Sequence, residues 1–239
     1  MALGCYPLSM RPGLVIFDCD GVLVDSEAIA SRVFSACAQG LGLAVSQAQA
    51  DRKFRGRSLG DCLAQLAEEL GRPLPEGFLE QLNQQTYRAF RSELRAIDGV
   101  SAALDELHRR GLRTCVASSG SHEKMRVTLS LTGLLARLDG RLFSASQVPR
   151  GKPAPDLVQF AAAQMRTDVR EAIVVEDSLV GARGALAAGT RVLGYVPDGE
   201  PDAALRRHAF SSAGVPTFRC MSALPDLVSL RGLRTVPSG

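Results

Sequence analysis

Leu14-Val15-Ile16-Phe17-Asp18-Cys19-Asp20-Gly21-Val22-Leu23-Val24-Asp25-Ser26 is the stretch on which the reading of this chain turns. Its first four residues form a short continuous apolar run, the pattern of a parallel strand buried on both faces. Two carboxylates, Asp18 and Asp20, follow directly. As the chain leaves the strand, both can turn toward one point above the sheet edge, and Gly21 permits the bend that releases the backbone. An Asp-Gly turn closing a strand would account for the same residues. The pair alone leaves chemistry and turn formation equally open.

Comparable apolar runs recur at Leu112 to Ala117, Arg141 to Ser144, Ala172 to Val175 and Arg191 to Tyr195. Helical patterns lie between them at Ala102 to Arg110, Glu123 to Thr132, Ala154 to Arg166 and Leu179 to Ala188. Alternating strands and helices predict an α/β fold with a doubly wound, Rossmann-like parallel sheet. In such sheets ligands bind beyond the carboxyl ends of the strands. The stretch 26–94 breaks the alternation. Ile29, Val33 and Cys37 fall on one helical face, and further helical patterns cover Leu59 to Leu70 and Phe78 to Phe90. The expected organisation is therefore a core of residues 12–25 and 95–230, an inserted α-helical cap of residues 26–94, and a frayed tail at 231–239. The region after Pro201 is weakly patterned.

Composition narrows the classes. The 239 residues carry 28 basic and 25 acidic side chains, a net charge of +3. Only Lys53, Lys124 and Lys152 are lysines, and the arginines are scattered without a basic block, which argues against nucleic acid as a partner. No apolar run approaches the roughly 20 residues of a membrane helix, and no charged segment followed by an apolar stretch marks a signal peptide. The six cysteines form no CxxC pair, so neither a zinc site nor a redox motif is indicated. A monomer in a reducing, cytoplasmic compartment is expected.

Three further segments each end a different predicted strand. Ser118-Ser119-Gly120-Ser121 offers hydroxyls and free backbone N–H groups at a helix start, either a phosphate cradle or an N-cap by Ser121. Gly151-Lys152-Pro153-Ala154-Pro155-Asp156 puts an ammonium on a segment stiffened by proline, which an exposed turn would also do. Glu176-Asp177-Ser178 supplies adjacent hard oxygen ligands for Mg²⁺, or acids opposing a helix dipole. Gly181 and Gly184 allow close helix packing behind it. Carboxylates, hydroxyls and a lysine thus gather at one edge of one sheet. The Gly151-Lys152 pair lacks P-loop spacing, there is no GxSxG elbow around Ser119, and His108, His122 and His208 fall at no metal-ligand spacing.

The order of these four motifs from Leu14 to Tyr195 resembles the haloacid dehalogenase-like superfamily. The helical insertion is similar to that of its β-phosphoglucomutase-like branch, which includes many sugar-phosphate phosphatases. The resemblance implies that Asp18 attacks phosphorus to give an aspartyl-phosphate and that Asp20 is the general acid and base. It further implies Mg²⁺ held by Asp18, the Asp20 carbonyl and Asp177 with Glu176 close by, and a phosphoryl group held by Ser118 and Lys152, with Ser119 beside it. The implied ligand is a small phosphorylated metabolite, most simply a sugar phosphate. The alternative is a mutase of the same branch. Such mutases carry a histidine twelve residues after the nucleophile and a cap arginine, and Ala30 and Leu59 stand in those places. Residues 17–32 and 90–99 are similar to bacterial 6-phosphogluconate phosphatases, whose carboxylate-bearing type of substrate would suit Arg55 and Arg57 in the cap.

Overall fold

The computed structural model describes residues 13–54, 58–200 and 202–229. Strand β1 (Leu14–Phe17) leads into a helical insertion of α1 (Glu27–Gly40), α2 (Gln47–Phe54), α3 (Leu59–Leu70) and α4 (Phe78–Glu93). The chain then runs through α5 (Val100–Arg109), β2 (Arg113–Ser118), α6 (His122–Leu131), α7 (Leu135–Leu138), β3 (Leu142–Ser144) and α8 (Asp156–Gln164). It closes with β4 (Ala172–Glu176), α9 (Leu179–Ala187), β5 (Arg191–Tyr195), α10 (Ala203–Ser212), β6 (Thr217–Phe218) and α11 (Leu224–Ser229).

The strands form one parallel sheet in the order β3-β2-β1-β4-β5-β6, the doubly wound arrangement that the alternation predicts. Phe17 is in register with Val116 on one side and Val175 on the other. The residues that follow these three positions therefore emerge at the same edge. Successive strand side chains point to opposite faces. Val15 and Phe17 pack with Leu104, Leu107, Met125 and Leu129 from α5 and α6. Leu14 and Ile16 pack with Leu157 and Ala161 of α8 and Ala182 and Ala185 of α9. Each such apolar side chain contributes about 1.5–3 kcal/mol when fully buried, so the central strand is firmly held from both sides.

The insertion has an apolar cluster of its own, in which Val33, Phe34 and Ala38 of α1 meet Leu66, Phe78 and Leu82. Ile29 and Val33 are buried as their spacing predicts, whereas Cys37 is only half-buried, and Phe34 and Ala38 complete the inward stripe. The two connections to the core run side by side: Asp25 N–H donates to the Arg95 carbonyl at 3.0 Å and Ile97 N–H to that of Leu23 at 2.9 Å. No helix among the described residues is long and apolar enough to cross a membrane.

Two regions are more regular than their sequence suggests. Helix α2 turns inward through the fully buried Ala50, too little for an apolar stripe to show. Beyond residue 201, α10, β6 and α11 replace the weak pattern. Strand β6 has two residues, too few for a period, and α10 carries Arg206 and Arg207 on a side that bonds to main-chain carbonyls, which hides its amphipathicity. Residues 231–239 lie outside the described residues, as do Arg55 and Arg57.

Candidate active site

Asp18 is the first residue beyond β1, and its N–H still donates to the Val175 carbonyl of β4 at 2.9 Å. That bond holds it at the sheet edge beside Glu176 and Asp177. All three carboxylates are buried, and one oxygen from each lies within 4.8 Å of the others. Lys152 reaches the same point from the loop before α8. Its Nζ donates to Asp18 Oδ1 at 2.7 Å and to Glu176 Oε1 at 2.5 Å, with the lysine side chain 4% exposed. The Lys152-Pro153 peptide is cis. Glu176 Oε2 accepts from the Ser178 N–H at 3.3 Å and hydroxyl at 3.0 Å. Glu176 is thus engaged on both oxygens and anchors Lys152, which leaves Asp18 and Asp177 as the carboxylates best able to take a hard cation.

Two glycines make room for this cluster. A Cβ at Gly181, in α9, would stand 1.8 Å from Glu176 Oε1. One at Gly21, whose φ is +76°, would stand 2.5 Å from Asp177 Oδ2. Burial pushes the Asp18 carboxyl well above its ordinary range; Lys152 opposes this, while Glu176, Asp177 and Asp20 add to it. The upward direction wins because desolvation is the largest influence and the single ammonium faces several acids. Burial works against the Lys152 ammonium, but Asp18 and Glu176 outweigh it and hold the lysine charged. The cluster carries more carboxylate than lysine, and its hard oxygens fit Mg²⁺.

Asp20 lies on the other side of the edge. The Ser26 hydroxyl donates to its Oδ1 at 2.5 Å, and Lys124 Nζ meets the same oxygen at 2.9 Å. Ser26 precedes α1 yet makes no cap bond there, because its hydroxyl serves Asp20 instead. Burial would raise the Asp20 carboxyl, but Lys124 and Ser26 together hold it below its usual range. Ser118 ends β2 and accepts from the Gly120 N–H at 3.0 Å, while Ser144 Oγ donates to the Gly120 carbonyl at 2.7 Å. Ser121 caps α6 by accepting from the Lys124 N–H. The Ser118–Ser121 loop is therefore both a cap and a polar wall.

These groups floor a cavity of about 940 Å³ that α1, α3 and α4 close from above. Asp18, Asp20, Ser118, Ser119 and Lys152 line it, and so do Ala30 and Leu59. Glu176 and Asp177 lie just behind its floor. His122 is bonded to Gln147 at 2.9 Å and is not among the lining residues; His108 and His208 are exposed.

Three residues escaped the sequence reading. Lys124 had the same signal as Lys152, a rare lysine just beyond a strand end, but sat inside a helical pattern. Ser26 read as a helix start. Arg206 had no signal at all: from α10 it donates to the Asp177 carbonyl at 2.7 Å and to that of Tyr195 at 3.3 Å, and it pairs with Glu200.

The fold and this acidic edge define a doubly wound α/β protein in which a strand-end aspartate faces a partly open cavity, and comparison with known proteins gives its family. The haloacid dehalogenase-like hydrolase profile matches residues 12–189, and the chain belongs to that family. It is 32% identical over 219 residues to 6-phosphogluconate phosphatase of Escherichia coli (strain K12), covering 91% of this chain and 95% of that one. It is 31% identical to hexitol phosphatase A of the same organism, covering 77% and 83%. Among solved structures, a HAD family hydrolase from Deinococcus radiodurans R1 with bound phosphate and sodium superposes with a TM-score of 0.74 at 30% identity, covering 94% of this chain and 98% of that one.

Proposed function

We propose that this chain is a Mg²⁺-dependent phosphomonoesterase acting on small phosphorylated metabolites of the sugar-phosphate class, with 6-phosphogluconate the first to try. The observation that carries the reading is the meeting of buried Asp18, Lys152, Glu176 and Asp177 beneath a cavity whose wall includes Asp20. The relatives named above, a 6-phosphogluconate phosphatase and a hexitol phosphatase among them, lend it support.

In this reading an Asp18 carboxylate oxygen attacks the phosphorus, the P–O bond to the leaving alcohol breaks, and Asp20 gives that alcohol its proton. Water then attacks the aspartyl-phosphate, passing a proton to Asp20 and releasing inorganic phosphate with Asp18 restored. Lys152 holds Asp18 by Oδ1 and offers positive charge to the equatorial phosphoryl oxygens, with Ser118 and Ser119 donating beside it. Asp18, the Asp20 carbonyl and Asp177 would hold Mg²⁺. When bound, the cation neutralises charge so that an anionic nucleophile and an anionic phosphate can meet. Residues 26–94 act as a cap over the core of residues 12–25 and 95–230, keeping water from the first step. Hydrolysis is preferred to phosphoryl transfer between sugar positions because the cavity wall carries Ala30 and Leu59, neither of which can hold a second phosphate or move a proton.

A panel of phosphorylated metabolites, assayed for released phosphate with Mg²⁺ and with chelator, tests the proposal. Mg²⁺-dependent release is expected. Formation of glucose 6-phosphate from β-glucose 1-phosphate, without free phosphate, would replace it with the mutase alternative.

A further inference from the structure

Lys124 lies in the first turn of α6, with its backbone N–H held by Ser121 Oγ at 3.1 Å. Its aliphatic stem runs over Gly120: a Cβ there would come within 3.4 Å of Lys124 Cδ and 3.7 Å of Asp20 Oδ2. The absence of a side chain at Gly120 thus lets the lysine lie against the loop and reach Asp20. Its Nζ bonds Asp20 Oδ1 at 2.9 Å, the oxygen that already accepts from Ser26 at 2.5 Å.

An ammonium has three donors, and Asp20 takes one of them. The side chain keeps 28% of its surface exposed and lines the cavity, on whose wall Asn83, Thr86 and Tyr87 of α4 also stand. Lys152 is different: it is 4% exposed and already serves two carboxylates. Of the two lysines lining the cavity, Lys124 is the one placed to meet the organic part of an occupant. Because it touches the oxygen of Asp20, it stands beside the ester oxygen that Asp20 would protonate, close to the next carbon of the leaving group.

We propose that Lys124 is a specificity-determining residue whose ammonium hydrogen-bonds an oxygen on the carbon adjoining the phosphoester carbon. The site then favours phosphorylated polyols and sugar acids over alkyl phosphates of equal length. The proposal rests on the phosphomonoesterase reading given above.

The test compares 6-phosphogluconate with n-hexyl phosphate, which has six carbons and no neighbouring oxygen, in the wild type, Lys124→Met and Lys124→Arg. In Lys124→Met, kcat/KM for 6-phosphogluconate should fall at least about tenfold further than that for hexyl phosphate, with the extra loss mainly in KM, because any loss that acts through Asp20 is common to both esters. Lys124→Arg should recover part of the loss. Equal losses on both esters would mean that the lysine only holds Asp20 and would overturn the proposal, as would no loss on either, or a wild type that prefers hexyl phosphate. A second arm titrates 6-phosphogluconate calorimetrically into Asp18→Asn and into Asp18→Asn/Lys124→Met, where affinity should fall by a similar factor. That arm needs no turnover. A wild type that releases phosphate from no ester of the metabolite panel would sink the phosphatase reading, while unchanged affinity in the calorimeter would sink the role of Lys124 alone.

Discussion

At the sheet edge Asp18 is 7% exposed, Glu176 fully buried and Lys152 bonded to both, whereas across the cavity Leu59 and Leu79 remain 41% and 46% exposed. The edge is positioned by strands that pair on both sides and by glycines that leave no spare room. The facing wall is made of helices packed mainly on one another. Groups that must meet a reacting atom gain from the first kind of support. Groups that only sort substrates can sit on the second, where exchange of a side chain leaves the edge undisturbed.

Asp18→Asn should test that contrast most severely, lowering phosphate release roughly a thousandfold or more while the fold persists. A variant within tenfold of wild type would mean the edge does not carry the chemistry. Gly181→Ala comes next. Its methyl would collide with Glu176 Oε1, so we expect about 1–3 kcal/mol of destabilisation, read as a lower melting temperature, with activity lost as Lys152 loses its anchor.

Mg²⁺ should raise the melting temperature of the wild type, by about 2.7 kcal/mol in stability at a hundred times its Kd, and Asp177→Asn should erase the effect. The sign with pH follows from Asp18, whose folded carboxyl lies above its unfolded value. Without metal, its contribution is full at low pH and is lost as pH rises through the folded value. Mg²⁺ takes the deprotonated carboxylate, so the metal-induced shift should grow with pH over that window; a shift independent of pH would argue that Asp18 is not a ligand. Leu79→Ala, on the opposite wall, should alter stability by no more than about 0.5 kcal/mol. It should change hydrolysis of hexyl phosphate less than about threefold while reordering preference among larger esters.

The same contrast explains what could be read from residues alone. Buried strands such as Leu14–Phe17 and Ala172–Glu176 announce themselves because both faces are apolar, and the acids stand out where that pattern stops. Lys152 was visible beside its prolines. Lys124, Ser26 and Arg206 were not, since Lys124 and Arg206 serve partners distant in sequence from inside helical periods and Ser26 reads as a helix start. The cavity wall was legible only as helices, because which side chains face inward depends on how α1, α3 and α4 lean over the edge.

Arg206 lies seventeen residues past the end of the family-matched segment 12–189 and touches no cavity surface, yet it grips the main chain of Asp177. A version of the protein trimmed to that segment would retain every lining group and still forfeit the brace behind Asp177. Engineers seeking a minimal catalyst from this scaffold should therefore keep the last helices, whose worth is measured in how steadily they hold a carbonyl rather than in anything they offer a substrate.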